Sequence, residues 1–493
     1  MDRSDPQARQ PGPSLSSMAP PSRSRLAALA VFALANLLQG TVWSLPGVLA
    51  QAHLDAYDGL SANDVQMMVN LGSIVFLAGG VAAAALLDAG YLRVGTQVSA
   101  AAIAVGAALR LLAPGGAGAD SAGVGGPQLP RALLLLSAAL NGLGGLVLMG
   151  GVSAIVGAWC EPGERATATA VLVSANNFGL DAAYLLAATG AVPDSVSAGA
   201  PQALVRERML LLNVALAACA AAVAALSLAP GCFPPRPVAP PSRSAALQAS
   251  LSARFTLAAF AESSRALCAA KGVMLLIVAN GAVVGVLSSW QAVLSLVVAP
   301  LGIDAVAAGW LGFASSFAGN VAGVAAGLLV DRLRGRHKQA VLVCFAVAAA
   351  AFAAFAALAT GNGAAGGAGV GFAALCATSA VGVVALCAAA PIVIELCVSA
   401  AFPVPEGSTL MLLSLASNAA PVPLLLAPAA GGSGGSAMSW GLAATVAAAA
   451  AAIALVDLPA KRLAFDDGDG PCGDEAEGPL LSTADCDKGE LNH

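Results

Sequence analysis

Charge is scarce in this chain. Only 10% of its 493 residues are Asp, Glu, Lys or Arg, against 58% hydrophobic and a mean hydropathy of +0.83. A soluble domain carries about 25% charged residues, so a chain this poor in charge could not cover a surface facing water. Sustained alternation of apolar and polar residues is also missing, which excludes the strands of an outer-membrane barrel. The three His residues, at 53, 337 and 493, stand singly, and no HExxH, GxSxG or DxD-like cluster stands out. That leaves an enzyme no constellation to work with. The ten Cys are scattered in or beside apolar runs without a CxxC pair; they read as small hydrophobic fillers, not as a metal site or a disulfide framework. The first 22 residues hold Pro and Ser but no apolar core, so no cleavable signal peptide is expected and the first span anchors the chain. No cofactor, metal or nucleic-acid partner is expected.

What is present is a series of apolar runs, each long enough to cross about 30 Å of hydrocarbon as a helix. Twelve are predicted, near 26–50, 65–87, 94–113, 131–157, 167–191, 209–229, 272–299, 305–330, 338–359, 369–394, 408–430 and 437–456. The chain divides into a disordered N-terminus (1–25), a first bundle (26–229), a Pro-rich basic linker ending in a short surface helix (230–271), a second bundle (272–456) and a disordered acidic tail (457–493). With the N-terminus placed inside, eighteen of the 22 Lys and Arg fall on the inner side. The positive-inside rule therefore puts both termini in the cytosol.

The two halves resemble each other. GVAAAALLDAGYLRV (80–94) overlies GVAAGLLVDRLRGRH (323–337) at an offset of 243, which pairs Gly80 with Gly323, Asp88 with Asp331 and Arg93 with Arg336. ERAT (164–167) overlies EGST (406–409) at an offset of 242. Six spans, a linker and six spans is the pattern of parallel repeats. The turn around 331–338 gathers Asp331, Arg332, Arg334, Arg336, His337 and Lys338 between two stretches without charge. Asp331 stands where a helix leaves the membrane and can accept hydrogen bonds from an Arg or from a neighbouring helix start. Contacts of that kind break and reform as two bundles rock. The alternative is that these charges only anchor the spans at the headgroups.

GLLVDRLRGRHK (327–338) closely resembles the signature loop of the major facilitator superfamily, G-x-L-x-D-R-x-x-G-R-[RK]-[RK], and the first half carries a degraded copy at Asp88 and Arg93. NLLQGTVWSLPG (36–47), GERATATA (163–170), CFPPRPVAPPS (232–242), AGWLGF (308–313) and IELCVSAAFPVPEG (394–407) resemble solute carrier family 49. The resemblance implies an all-α integral membrane protein: twelve transmembrane helices in two six-helix bundles, the major facilitator fold. It also implies alternating access and a small organic solute: pyridoxine as in the family's lysosomal vitamin B6 carrier, or choline, ethanolamine or haem as in other members. A receptor or nutrient sensor without transport is the rival of another class.

A midplane site needs an aromatic wall, amides and a titratable group. Trp43 and Trp290, mid-span in repeat-equivalent helices, are the aromatic candidates, as stacked partners of a ring or as packing between helices. Asn176, Asn177 and Asn418 are the amide candidates, with Gln39, Asn36 and Asn141 behind them; bonding between helices is their alternative. Gly40 and Ser288 stand where the family resemblance implies aromatics, which argues against carrying choline specificity over. Asp181, in NNFGLDAAYLL, is the one carboxylate deep in a span and the candidate for proton coupling. It lies one turn past Asn177, so a place near the outer mouth or in a wet cavity is open to it as well. Glu164, Arg165, Glu395 and Glu406 bracket two equivalent turns and are expected to complete a cytosolic gate with Asp88, Arg93, Asp331, Arg332 and Arg336. The expected partners are the solute, the bilayer and protons, for a monomer. Leu480-Leu481 behind acids resembles a sorting dileucine, which with the family resemblance favours a lysosomal or vacuolar membrane over the plasma membrane.

Overall fold

The computed structural model describes residues 23–113, 128–193, 199–229, 242–292, 294–298, 301, 303, 305–330, 336–361, 368–420 and 434–467. The first half holds α1 (Arg23–Val48), α2 (Ala50–Ala56), α3 (Ala62–Asp88), α4 (Leu92–Leu111), α5 (Gln128–Gly150), α6 (Val152–Trp159), α7 (Arg165–Ala188) and α8 (Gln202–Leu228). Two connecting helices follow, α9 (Arg243–Ala253) and α10 (Leu257–Ala269). The second half holds α11 (Lys271–Ala292), α12 (Leu294–Val298), α13 (Ala305–Val330), α14 (His337–Gly361), α15 (Ala368–Ala401), α16 (Glu406–Ala419) and α17 (Gly434–Ala454), then a last helix, α18 (Lys461–Asp467). Among the described residues eleven helices are long and apolar enough to cross a membrane. The twelfth predicted span, 408–430, begins in α16, and its part beyond residue 420 lies outside the described residues. The protein is an all-α integral membrane protein of the twelve-helix, two-bundle kind.

Two sequence readings change. The run 131–157 is two helices, broken at Gly150–Gly151 between α5 and α6. The tail from 457 is not wholly disordered: Lys461–Asp467 is helical and docks on the helix ends, because its Arg and Asp find buried partners there. The linker carries two helices, each opened by a hydroxyl cap, Ser242 on Ala245 N and Thr256 on Ala259 N.

Local chemistry fixes the helix ends that matter. Ser61 and Asp64 form a capping box at the start of α3. At its other end Gly90 adopts φ +84 while Gly90 N donates to Leu87 O and Tyr91 N to Leu86 O. This stop leaves Asp88 in the last turn, facing the neighbouring helix start. Crossings are close where side chains vanish. A Cβ on Gly179 would run into Leu37 O and the Thr41 nitrogen, so α1 and α7 touch backbone to backbone. The outward surface is Leu and Val, with Val81, Leu86, Leu228 and Val343 exposed, as hydrocarbon requires. The halves meet along two seams, α7 against α13 and α3 against α16. The end of the bundle where α3 stops and α7 starts is called the charged end below; the other is the far end.

Candidate functional site

α7 presents different faces to different surroundings. Asn176 points to α1, where its Nδ2 donates to Gln39 Oε1 at 2.7 Å and to Asn36 O at 3.0 Å. Asn36 Nδ2 in turn reaches Leu148 O, and Asn141 Nδ2 donates to Gln39 O at 3.2 Å. Four amides thus knit α1, α5 and α7 together. Asn141 Oδ1 is buried without a partner, an unused acceptor inside the knot. Asn177, the next residue, falls on another face; it is half-buried and forms no hydrogen bond among the described residues. Trp43 is half-buried on α1, its Nε1 donating to Val69 O at 3.1 Å while the ring lies against Gly72 of α3.

The structure does not bring the two indoles together. Trp290 is 1% exposed; its Nε1 donates to Ser439 Oγ at 3.0 Å and its ring meets Phe352 and Phe355 edge-on, with centroids 5.5 and 5.2 Å away. It packs from α11 against α14 and α17, with its ring and its N–H both engaged. Asn418 bridges a seam: its Oδ1 accepts from Ser73 Oγ of α3 at 3.2 Å, and its Nδ2 donates to Ser414 O.

One turn past Asn177, and on roughly the same face of α7, Asp181 lies on the other seam. It is 2% exposed. Oδ2 accepts from Asn320 Nδ2 of α13 at 2.7 Å, Ser316 hydrogen-bonds the same carboxyl, and Oδ1 is buried without a partner. No cation faces it among the described residues. Two turns toward the charged end, Ser174 Oγ donates to the backbone carbonyl of Asn320 at 3.3 Å, so Asn320 meets α7 through both its side chain and its backbone.

At the charged end the halves are joined by polar contacts. Asp88, 7% exposed, accepts from Ser408 N at 3.1 Å, from Ser408 Oγ and from Gly407 N. A carboxylate from one half therefore caps the first turn of α16 in the other, where unpaired N–H groups and the helix dipole favour an anion. Glu406, buried beside it, pairs with Arg462 Nη2 of α18 at 2.5 Å, and Glu395 lies 3.8 Å from Arg462 Nη1. Burial alone would lower the Arg462 guanidinium, but Glu406, Glu395 and Asp466 more than offset that and hold it above its ordinary value. Arg165, 2% exposed, donates to Asp466 Oδ2 at 3.0 Å, Ser242 Oγ at 2.6 Å and Ser244 Oγ at 3.2 Å. A Cβ on Gly157 of α6 would collide with the Glu406 carboxylate, so that position must stay small.

Other gate candidates sit apart. Glu164 pairs within its own half, with Arg25 at 2.6 Å. Arg93 is half-buried with its Nε unpartnered, and Arg336 is exposed. Asp331 and Arg332 lie outside the described residues. The sequence reading missed Arg462, Asp466, Ser242, Ser244, Ser408 and Asn320. A signal existed for two of them: in KRLAFDD, Arg462 and Asp466 stand four apart, on one face of a single helical turn.

Two half-bundles joined along two seams, with a polar closure at one end and amides in the middle, define a membrane transporter of the major facilitator type. No family model matches the chain. It is 30% identical over 396 residues to the solute carrier family 49 member 4 homolog of Xenopus laevis, covering 79% of this chain and 81% of that protein. The counterpart in Xenopus tropicalis is 29% identical over 399 residues, with the same coverage. Among solved structures, the major facilitator transporter FucP in its outward conformation aligns with a TM-score of 0.57 at 18% identity, over 87% of this chain and 99% of that one. The chain belongs to solute carrier family 49.

Proposed function

We propose that this transporter moves a small organic solute together with protons by alternating access, and that pyridoxine-like compounds are its cargo. The observation that carries the reading is Asp181, a buried carboxyl on the seam between the halves, with neutral donors and, among the described residues, no cation around it. An ionised carboxyl deep in a membrane protein is costly without a partner, which makes a group that gains and loses a proton the economical occupant. Trp43 and Asn177 are the first solute contacts, Asn418 faces them from the second half, and Asn176 and Gln39 brace Asn177 from behind. Trp290 is left out because its ring and its N–H are already engaged.

Asp88, Arg165, Glu395 and Glu406, with Arg462 and Asp466, form the closed gate at the charged end; Arg93, Glu164 and Arg336 are its outlying candidates, and the repeat counterparts Asp331 and Arg332 lie outside the described residues. The Lys and Arg asymmetry supports a cytosolic charged end and cytosolic termini. A monomer in a lysosomal or vacuolar membrane is the setting that fits the tail's Leu480-Leu481 pair.

The test is flux of radiolabelled pyridoxine, choline and haem into proteoliposomes across a pH step. Pyridoxine is expected to accumulate with the gradient, and Asp181→Asn to lose the driven component while exchange persists. Preference for choline or haem would reassign the cargo. Flux of none of the three would favour a sensor, and an unchanged pH response in Asp181→Asn would remove the proton reading.

A further inference from the structure

We infer that Asn320 is the positioning residue that ties the proton on Asp181 to the fit between the two halves; this deepens the proton-coupled reading above and rests on it. The repeat makes the argument. The offset of 243 pairs Ser73 of α3 with Ser316 of α13, and the offset of 242 pairs Asn176 with Asn418. At one seam Ser73 meets the neutral amide of Asn418 at 3.2 Å. At the other, Ser316 and Asn320 meet a carboxyl. Of these two repeat-related contacts, only the one at Asp181 carries a titratable group.

Asn320 is suited to sense the charge of that group. It is 1% exposed, its backbone carbonyl accepts from Ser174 Oγ on α7, and its side-chain Nδ2 donates to Asp181 Oδ2 on the same helix. It takes Oδ2 and leaves Oδ1 bare. The groups facing Asp181 are Tyr184 on its own helix, Ser316 and Asn320 on α13 and Cys387 on α15; none is a cation. Ionised Asp181 is therefore satisfied only by donors from the other half. A proton arriving from water forms its O–H bond at Oδ1, weakens the pull on Asn320 and loosens α7 from α13. When the seam closes again, that O–H bond breaks and the proton returns to water.

The test needs no cargo. The purified full chain in liposomes is titrated by pH-difference infrared spectroscopy, reading the carbonyl band of a protonated buried carboxyl. Asp181→Asn should remove the component of the band that belongs to Asp181, leaving those of the buried Asp88 and Glu406 in place. Asn320→Leu should retain the Asp181 component to a pH about one unit or more higher, the loss of one hydrogen bond to a charged group. Asn320→Gln, which keeps a donor, should return most of the shift, and Ser316→Ala should give a smaller one. If Asp181→Asn leaves the whole band intact, the proton reading itself falls. If it removes a component but neither Asn320→Leu nor Ser316→Ala moves the midpoint of that component, only the role of Asn320 falls. Should Asn320→Leu fail to fold, Asn320→Ser takes its place, and an unmoved midpoint there is equally fatal.

Discussion

Arg165 Nη1 stands 3.0 Å from Asp466 Oδ2, so the first residue of α7 is tied to the last turn of α18. The same carboxylate accepts from Ser244 N at 2.8 Å and from Ser244 Oγ at 3.0 Å. One Asp from the tail thus holds a helix of the first half and the start of α9, while Arg462 on the same short helix holds α16. The tail is a strap across the closed end. Breaking a buried pair by removing one partner costs about 3–5 kcal/mol, because the other charge is stranded. Asp466→Arg should therefore shift the closed-to-open ratio of the charged end by at least about a hundredfold. Distances between spin labels on α6 and α15 would read it. The swap Arg165→Asp with Asp466→Arg should restore most of the closure; a swap no better than either single change would mean the pair does not hold the gate.

Asp88 gives a second handle on the same closure. Its carboxylate accepts from Ser408 N and Oγ in the first turn of α16. Asp88→Asn keeps an acceptor but removes the charge that the helix start favours. Charged hydrogen bonds are worth about 1.5–3 kcal/mol, so transport kcat should change about tenfold. The proposed solute contacts, Trp43 and Asn177, lie within α1 and α7 and away from Asp88, so KM should stay within about twofold under the rate relations for such mutants. Loss of affinity with an unchanged kcat would contradict a gating role. Initial rates over a solute series decide between them.

The contrast between these residues shows what a sequence discloses. The helices were legible because runs of apolar residues have few other uses, and Asp88 was legible because the repeat pairs it with Asp331 of the charged turn. α18 was not, since seven residues are too short for a hydropathy signal and its partner Arg165 lies 301 positions away. The orientation of Trp290 was hidden for a different reason. α11 is apolar nearly all round, so nothing in its pattern says which side faces a cavity. Asn320 was passed over because a lone Asn in a span reads as helix glue until its neighbour across the seam is known.

His53 supplies a pH prediction away from the gate. It is 1% exposed in α2, with Nδ1 2.9 Å from Leu49 O, and burial lowers its pKa from 6.5 to about 4, with Arg110 adding to the effect. A group with a depressed native pKa that is charged when protonated binds more protons unfolded than folded. Stability is therefore highest above pH 6.5 and falls as pH drops toward 4. Between neutral pH and pH 5 the loss from this one residue is about 2 kcal/mol. His53→Gln should flatten that part of the pH dependence of thermal unfolding in detergent, whatever it does to stability at pH 7. An unchanged slope in the variant would show that another group is responsible.

The two indoles should separate stability from recognition. Trp290 fills the space between Phe352 and Phe355 and hydrogen-bonds Ser439. Trp290→Ala should cost about 3–5 kcal/mol, in line with deleting a buried aromatic, and Ser439→Ala about 1 kcal/mol by leaving the indole N–H unpaired. Neither change touches Trp43, whose half-buried ring rests on Gly72. Trp43→Ala should instead raise the KM for the transported solute about tenfold, since a stacked aromatic is worth about 0.5–1.5 kcal/mol beyond the area it buries. Thermal unfolding and KM measured on the same three variants test the division of labour. If Trp290→Ala were nearly as stable as the parent while losing solute affinity, α11 would turn a different face to the cavity during transport, and the wall of the site would have to be rebuilt around it.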